Sequence, residues 1–289
     1  MYVAIREVML KSVNKNPWQA LKELGVSAIE IELGRDCKTI NFPGNEGKVF
    51  DLSSEEEIAS FSEGLSKNGI SHCAFLMHND FDTGNLEEEI KWTVEVCEIA
   101  KKVGVKAVRI DLATHSEETK PDIFIPQSAT AVRKILALTE DTGVNLGMEN
   151  HGRLANEKEF LDKILQNVDS ERLGLTLDTG NFYWYGYPLS EIYGIMSYYA
   201  GKIKHTHVKN IKYPLEKREI KREIGWEYGK FVSPIYEGDI DHQKVISILK
   251  EAGYTGDITI EDESLSKFPG EEQKGILKKD VEYLQEIIG

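Results

Sequence analysis

Four short segments each close an apolar run with a side chain able to bind a cation. They are Leu146-Gly-Met-Glu149-Asn-His151, Leu175-Thr-Leu-Asp178-Thr-Gly-Asn181, Ile203-Lys-His205-Thr-His207-Val-Lys209 and Ile258-Thr-Ile-Glu261. One charged residue at the end of a buried strand is tolerable, whereas four in series argue that strand ends converge on one divalent ion. Three carboxylates gathered without a cation would repel and raise one another's proton affinity, so a bound ion removes the physical objection to the cluster. Glu149, Asp178, His207 and Glu261 form a hard, mostly oxygen ligand set, which favours manganese, magnesium or cobalt and also admits zinc. The chemistry expected of such a set is that of a metal-dependent enzyme.

The elements that must position these residues follow from periodicity. Runs rich in Val, Ile and Leu, at about 3–10, 28–33, 71–77, 107–112, 145–149, 173–178, 203–208 and 257–261, read as strands. Between them lie amphipathic stretches that read as helices, from Pro17 to Gly25, from Ser53 or Ser54 to about 67, and over 86–103, 126–141, 156–168, 188–200, 241–252 and 271–288. Eight such units close into a (β/α)8 TIM barrel, and 289 residues suit a single domain of that class with a long loop insertion at about 210–239. A doubly wound open sheet is the alternative. Parity within the strands tests the barrel. Leu146 and Met148 alternate with Asn145, Gly147, Glu149 and His151; Leu175 and Leu177 with Gly174, Thr176 and Asp178; Ile258 and Ile260 with Asp257, Thr259 and Glu261. Every candidate ligand therefore shares a face with small or polar residues, pointing inward at the C-terminal mouth. Lys204 breaks this pattern in the seventh strand.

Composition narrows the class further. A formal net charge of −14 disfavours nucleic acid, whose binding requires a basic surface. No apolar run approaches the roughly 18–20 residues of a membrane span, so no membrane partner is expected. The opening Met1-Tyr-Val-Ala-Ile-Arg-Glu lacks a secretion signal, so a cytoplasmic location is expected. Cys37, Cys73 and Cys97 are scattered without a Cys-x-x-Cys pair and read as packing residues.

The segments Glu149-Asn-His-Gly152, Leu175-Thr-Leu-Asp-Thr-Gly-Asn-Phe182, His205-Thr-His-Val-Lys-Asn210, Gly238-Asp-Ile-Asp241 and Gly253-Tyr-Thr-Gly256 before Glu261 carry a resemblance. In order and spacing they resemble the xylose isomerase-like TIM barrels of the sugar phosphate isomerase/epimerase family. That resemblance covers the second half of the chain; the first half agrees in its βα rhythm alone. It implies one divalent metal on Glu149, Asp178, His207 and Glu261, with both glutamates moving a proton through a cis-enediolate while the metal binds substrate oxygens. His205 matches a neighbouring position in the mouth.

Around this centre, His151 is expected either to bind a substrate hydroxyl or to orient Glu149. Lys209 is a candidate for a substrate carboxylate, phosphate or enediolate oxygen, or else a solvated loop lysine. Asn181, a histidine in several relatives, is placed to hydrogen-bond substrate, and His78 to line the mouth. Arg109 and Asp111 read first as a core ion pair, Glu30 and Glu32 as strand residues, and His115 and His242 carry no assignment. Ketose 3-epimerases have a glutamate and an arginine where Ala155 and Tyr213 stand here, which argues against ketoses. The endonuclease IV branch needs extra histidines and aspartates that this chain lacks. The loop at 210–239, with Trp226, Tyr228 and Phe231, reads as a lid or a subunit contact, leaving a homo-oligomer open. The function expected is isomerization or epimerization of a small sugar-like or polyol carbonyl compound. The alternatives are a dehydratase of an inosose- or dehydroshikimate-like substrate, a phosphodiesterase of the endonuclease IV type, and a non-catalytic sugar-binding barrel.

Overall fold

The computed structural model describes residues 1–43, 49–82, 85–112 and 119–289. His115 lies outside them. Two compact units divide the chain, Met1–Ile29 with Leu177–Gly289, and Glu30–Thr176.

In the first unit, strand β1 (Tyr2–Arg6) is followed by helix α1 (Pro17–Leu24), which starts where the sequence places it. Asn16 accepts from Gln19 N, Pro17 occupies the first turn, and Gly25 ends the helix in the left-handed conformation at φ 69°. Strand β1 is shorter than expected. After Arg6 the chain turns into a 3-10 segment, Glu7–Ser12, because only Leu10 of its apolar residues is taken into the core. A short apolar run does not distinguish those two conformations.

Strand β2 (Ala28–Glu32) is shared with the second unit, Glu30–Thr176. There β3 (Ser71–Leu76), β4 (Ala107–Ile110) and β5 (Asn145–Glu149) lie side by side and parallel, with Phe75 opposite Val108 and Val108 opposite Leu146. Strand β6 (Leu173–Asp178) pairs with β5, Gly147 opposite Gly174. Helices α2 (Glu55–Asn68), α3 (Leu86–Val103), α4 (Pro121–Leu138) and α5 (Lys158–Val168) belong to the same unit, α3 packing on α4 and α4 on α5. Ser54 caps α2 by accepting from Glu57 N. Helix α4 begins five residues before the expected Pro126, because Pro121 opens the first turn and Pro126 is carried inside the helix. An antiparallel hairpin, Lys38–Pro43 with Val49–Asp51, was not legible beforehand; Phe42 and Phe50 meet Phe61 of α2 edge-on.

Back in the first unit follow α6 (Leu189–Tyr199), β7 (Ile203–His207), α7 (His242–Glu251), β8 (Asp257–Ile260) and α8 (Gly270–Ile288). The hydrogen-bonded strand order is β8-β1-β2-β3-β4-β5-β6-β7. Within the first unit β7 returns to β8 through the parallel bridge of Val208 with Ile260, where Val208 N donates to Thr259 O and Glu261 N to Val208 O. This circular order of parallel strands with intervening helices is the (β/α)8 barrel expected from the periodicity. No helix among the described residues is long and apolar enough to cross a membrane.

The insertion at 210–239 is ordered. Asn210–Ile211 pairs with Val232–Ser233, and buried Asn210 donates to Ile235 O and Ile240 O while accepting from Ile211 N and Ile240 N. Gly238 is required there, since a Cβ would fall 2.0 Å from Asn210 Cγ. The insertion includes one 3-10 turn, Leu215–Lys217.

His242, at the first position of α7, is buried between Thr179 Oγ1 and Asn210 Nδ2. Burial pulls its imidazole down from 6.5 to about 4. A histidine whose folded pKa is depressed stays neutral in the native state while the unfolded chain takes up the proton first. Its penalty is therefore absent above pH 6.5 and grows as pH falls from 6.5 towards about 4, to on the order of 3 kcal/mol. His242→Gln should flatten the fall in urea midpoint between pH 7 and pH 4; an unchanged slope would refute this assignment.

A candidate metal centre

The first unit brings together three of the expected ligands. Asp178 closes β6, and its Oδ1 accepts from Gly180 N at 2.8 Å and Asn181 N at 2.9 Å, the start of the short helix Asn181–Tyr185. His207 ends β7 fully buried, in register with β6 through Thr179 N to His207 O. Glu261 follows β8, its Oε2 3.3 Å from His207 Nδ1. Ligand atoms of Asp178, His207 and Glu261 lie within 4.8 Å of one another, all on buried residues. Donors at about 2.0–2.3 Å on opposite sides of an ion are roughly 4–4.6 Å apart, so this spacing and this nitrogen and oxygen donor set fit a single divalent cation. The three residues are thus a possible metal-binding cluster.

Two cations attend these carboxylates. Arg6, from the inward face of β1, forms an ion pair with Glu261. Lys209 is not a solvated loop residue: it is 5% exposed, and its Nζ lies 2.9 Å from Asp178 Oδ2, 3.7 Å from Glu261 Oε2 and 2.6 Å from Glu263 Oε1. Burial works against its charge, but the carboxylates of Asp178, Glu261 and Glu263 outweigh that and hold the ammonium well above the usual lysine range. Gly180 makes room for the stem, since a Cβ there would sit 2.6 Å from Lys209 Cγ. Tyr228, from the insertion, donates to Glu263 Oε2 at 2.5 Å, while Trp226 stacks on Phe231 at 5.4 Å. Sequence reasoning missed Arg6 and Glu263. Arg6 had a signal, a lone cation sharing parity with Ala4 in an apolar run; Glu263 had none.

His205, expected at the substrate, lies with its ring 5.2 Å from that of His207. It is fully buried with its Nδ1 2.8 Å from Asp257 Oδ2, at the start of β8. Burial alone would raise the Asp257 carboxyl, but His205 beside it and bonds from Thr259 and Thr206 bring it below its ordinary value. Its pairing with Asp257 anchors β7 to the start of β8.

The second unit holds the remaining candidates. Glu149 ends β5, buried, and pairs with the guanidinium of Arg109 from β4, which also donates to Met77 O at 2.7 Å. The expected Arg109–Asp111 pair is looser, at 3.5 Å. Asp111 instead accepts His151 Nδ1 at 2.6 Å. Burial would raise the Asp111 carboxyl, yet Arg109 and His151 hold it below the usual range. Burial would lower His151, and its bond to Asp111 together with the Glu149 charge raises it instead. Gly147 is needed opposite Thr176, whose Oγ1 would stand 2.4 Å from any Cβ. His78 is exposed, 3.4 Å from Glu32.

Parallel strands in circular order, with carboxylates and a histidine at their C-terminal ends, define a (β/α)8 barrel with its site at the strand ends. The chain belongs to the xylose isomerase-like TIM barrel family, whose sequence profile matches residues 18–287. Inosose dehydratases of Clostridium perfringens and Clostridium beijerinckii are 28% and 26% identical over 141 and 195 residues, 47% and 61% of this chain. The matched parts span 46% and 64% of those proteins. Among solved structures, the IolI protein with a bound zinc atom superposes with TM-score 0.73 at 20% identity, covering 100% of this chain and 98% of that one. An L-ribulose 3-epimerase gives 0.70 at 15% identity, covering 99% and 94%. A probable 3-DHS dehydratase of Bacillus anthracis gives 0.68 at 15%, covering 99% of both.

Proposed function

We propose that this chain is a divalent-metal-dependent isomerase or epimerase of a small sugar-like or polyol carbonyl compound. The observation that carries the reading is the buried convergence of Asp178, His207 and Glu261 at the ends of β6, β7 and β8. Glu149 is proposed as the fourth ligand, and Asp178 and His207 as the anchors. One divalent cation held there, manganese, magnesium, cobalt or zinc, supplies a Lewis acid for the oxyanion that develops when a carbon beside a carbonyl loses its proton. Glu149 and Glu261 are assigned the proton transfers, removing it from one carbon and returning it to another position or face. Arg6 and Arg109 fix the orientation of these two carboxylates through their ion pairs. His151, with Nδ1 turned to Asp111, and Asn181 are proposed as polar contacts to substrate hydroxyls.

A second reading is favoured by the curated relatives, which are inosose dehydratases. Loss of a β-hydroxyl after the same deprotonation makes the enzyme a lyase acting on a cyclic polyol ketone or a dehydroshikimate-like acid. Incubation of metal-loaded protein with such compounds in deuterated water separates the two. Deuterium incorporation at constant composition marks isomerization or epimerization, whereas loss of water marks the lyase. Binding without either would leave a sugar-binding barrel.

Metal removal is the general check. Chelated protein should retain less than about 1% of turnover, since Lewis-acid stabilisation of the oxyanion contributes several kcal/mol. Adding back manganese, cobalt or zinc should restore it, and full activity in the chelated protein would sink both readings.

A further inference from the structure

An ammonium and a divalent cation compete for the same carboxylate lone pairs. Lys209 Nζ lies within ion-pair distance of two residues of the metal cluster, Asp178 and Glu261. Its backbone is anchored from both sides: Lys209 N donates to Thr179 Oγ1, and Thr179 Oγ1 donates to Lys209 O. Gly180 leaves a slot for the stem. The head group, on four rotatable bonds, is the movable part. Its nearest carboxylate is neither metal-cluster residue but Glu263, at 2.6 Å, and Glu263 is steadied from its other oxygen by Tyr228.

We infer that Lys209 is a built-in competitor for the cation, an internal counter-charge that a divalent ion displaces from Asp178 and Glu261 while Glu263 retains it. This rests on the metal-dependent reading above. The charges make the direction plain. Asp178, Glu261 and Glu263 bring three negative charges, which Lys209 and Arg6 offset in part, and a divalent ion entering beside an immobile ammonium would meet direct repulsion. Swinging the ammonium away from Asp178 while it keeps its bond to Glu263 frees the Asp178 lone pairs and leaves the lysine paired while buried. The device holds the three carboxylates apart in the protein without metal and weakens the metal affinity, so that the ion is exchangeable.

Titration calorimetry with Mn2+ at fixed pH tests this on the wild type, Lys209→Met, Lys209→Arg and Glu263→Gln, with melting of each chelated protein alongside. Lys209→Met should bind Mn2+ at least about tenfold tighter and melt lower when chelated, while Lys209→Arg stays within about threefold of wild type. Glu263→Gln should weaken binding, and that effect should vanish in the Lys209→Met background, where there is no ammonium to retain. Equal or weaker binding by Lys209→Met, with wild type still binding, overturns the inference and leaves the metal site standing. Should Lys209→Met fail to fold, the Glu263→Gln result decides alone, unchanged affinity overturning it. If Asp178→Asn binds Mn2+ as well as wild type does, the metal reading fails and the inference with it.

Discussion

Glu261→Gln should reduce kcat/KM by at least about 10³-fold, a loss of roughly 4 kcal/mol of transition-state stabilisation, while the protein stays folded. The substitution preserves shape and removes the charge, so it takes away a proposed ligand and the proposed base together. Glutamine also removes the charge of the Arg6–Glu261 ion pair, whose arginine side chain is only 12% exposed, and the melting temperature should fall by a few degrees. Glu149→Gln should behave alike, removing the carboxylate that Arg109 pairs with. Steady-state kinetics with circular dichroism melts read both effects. More than a tenth of wild-type kcat/KM in either variant, with metal bound, would remove that glutamate from the chemistry.

Arg222→Ala should be the most destabilising single change in the 210–239 insertion. Arg222 is 7% exposed, its guanidinium lies 4.3 Å and 4.4 Å from the centres of the Tyr183 and Tyr213 rings, and it donates to the carbonyls of Lys217, Ile220, Tyr183 and Tyr187. Alanine leaves those carbonyls to water or to nothing and empties the space between two rings. A loss of about 3–5 kcal/mol follows from the buried acceptors and the lost cation–π contacts. At this chain length that corresponds to a fall in Tm of roughly 5–8 °C. A shift below about 2 °C in calorimetry would show that the insertion does not depend on this arginine.

The barrel was legible because its strands repeat one rule, aliphatic residues on one face and small or polar residues on the other, and period-2 patterning survives without tertiary knowledge. Helix ends were equally readable, as Pro17, Ser54 and Gly25 show. The hairpin at 38–51 escaped because its apolar residues, Phe42 and Phe50, are too few and irregular to separate from a loop; their meaning comes from Phe61, which no local pattern announces. At the site, the residues that end strands were found. Their partners were not, because Arg6 reaches Glu261 across 255 residues and Arg109 prefers Glu149 over Asp111, two places along its own strand. Nor could sequence spacing pair His205 with Asp257, since parity fixes the face a residue occupies but not its neighbour on another strand. Lys209 needed Glu263 to be understood, and Glu263 lies just past a strand where no period applies.

The parallel pairing of β1 with β8, Tyr2 opposite Asp257, also governs how the chain is made. At roughly 5–20 residues per second, β1 leaves the ribosome about 13–50 s before its partner is synthesised. During that interval one flank of the first strand is an open edge with Val3 and Ile5 uncovered, a template for pairing with another nascent copy. Arg6 puts a charge at the end of that strand throughout the wait, and meets Glu261 only when the last strand arrives. The arginine that pairs with a proposed catalytic carboxylate in the finished protein thus also keeps a charge on the open strand while the barrel is still being translated.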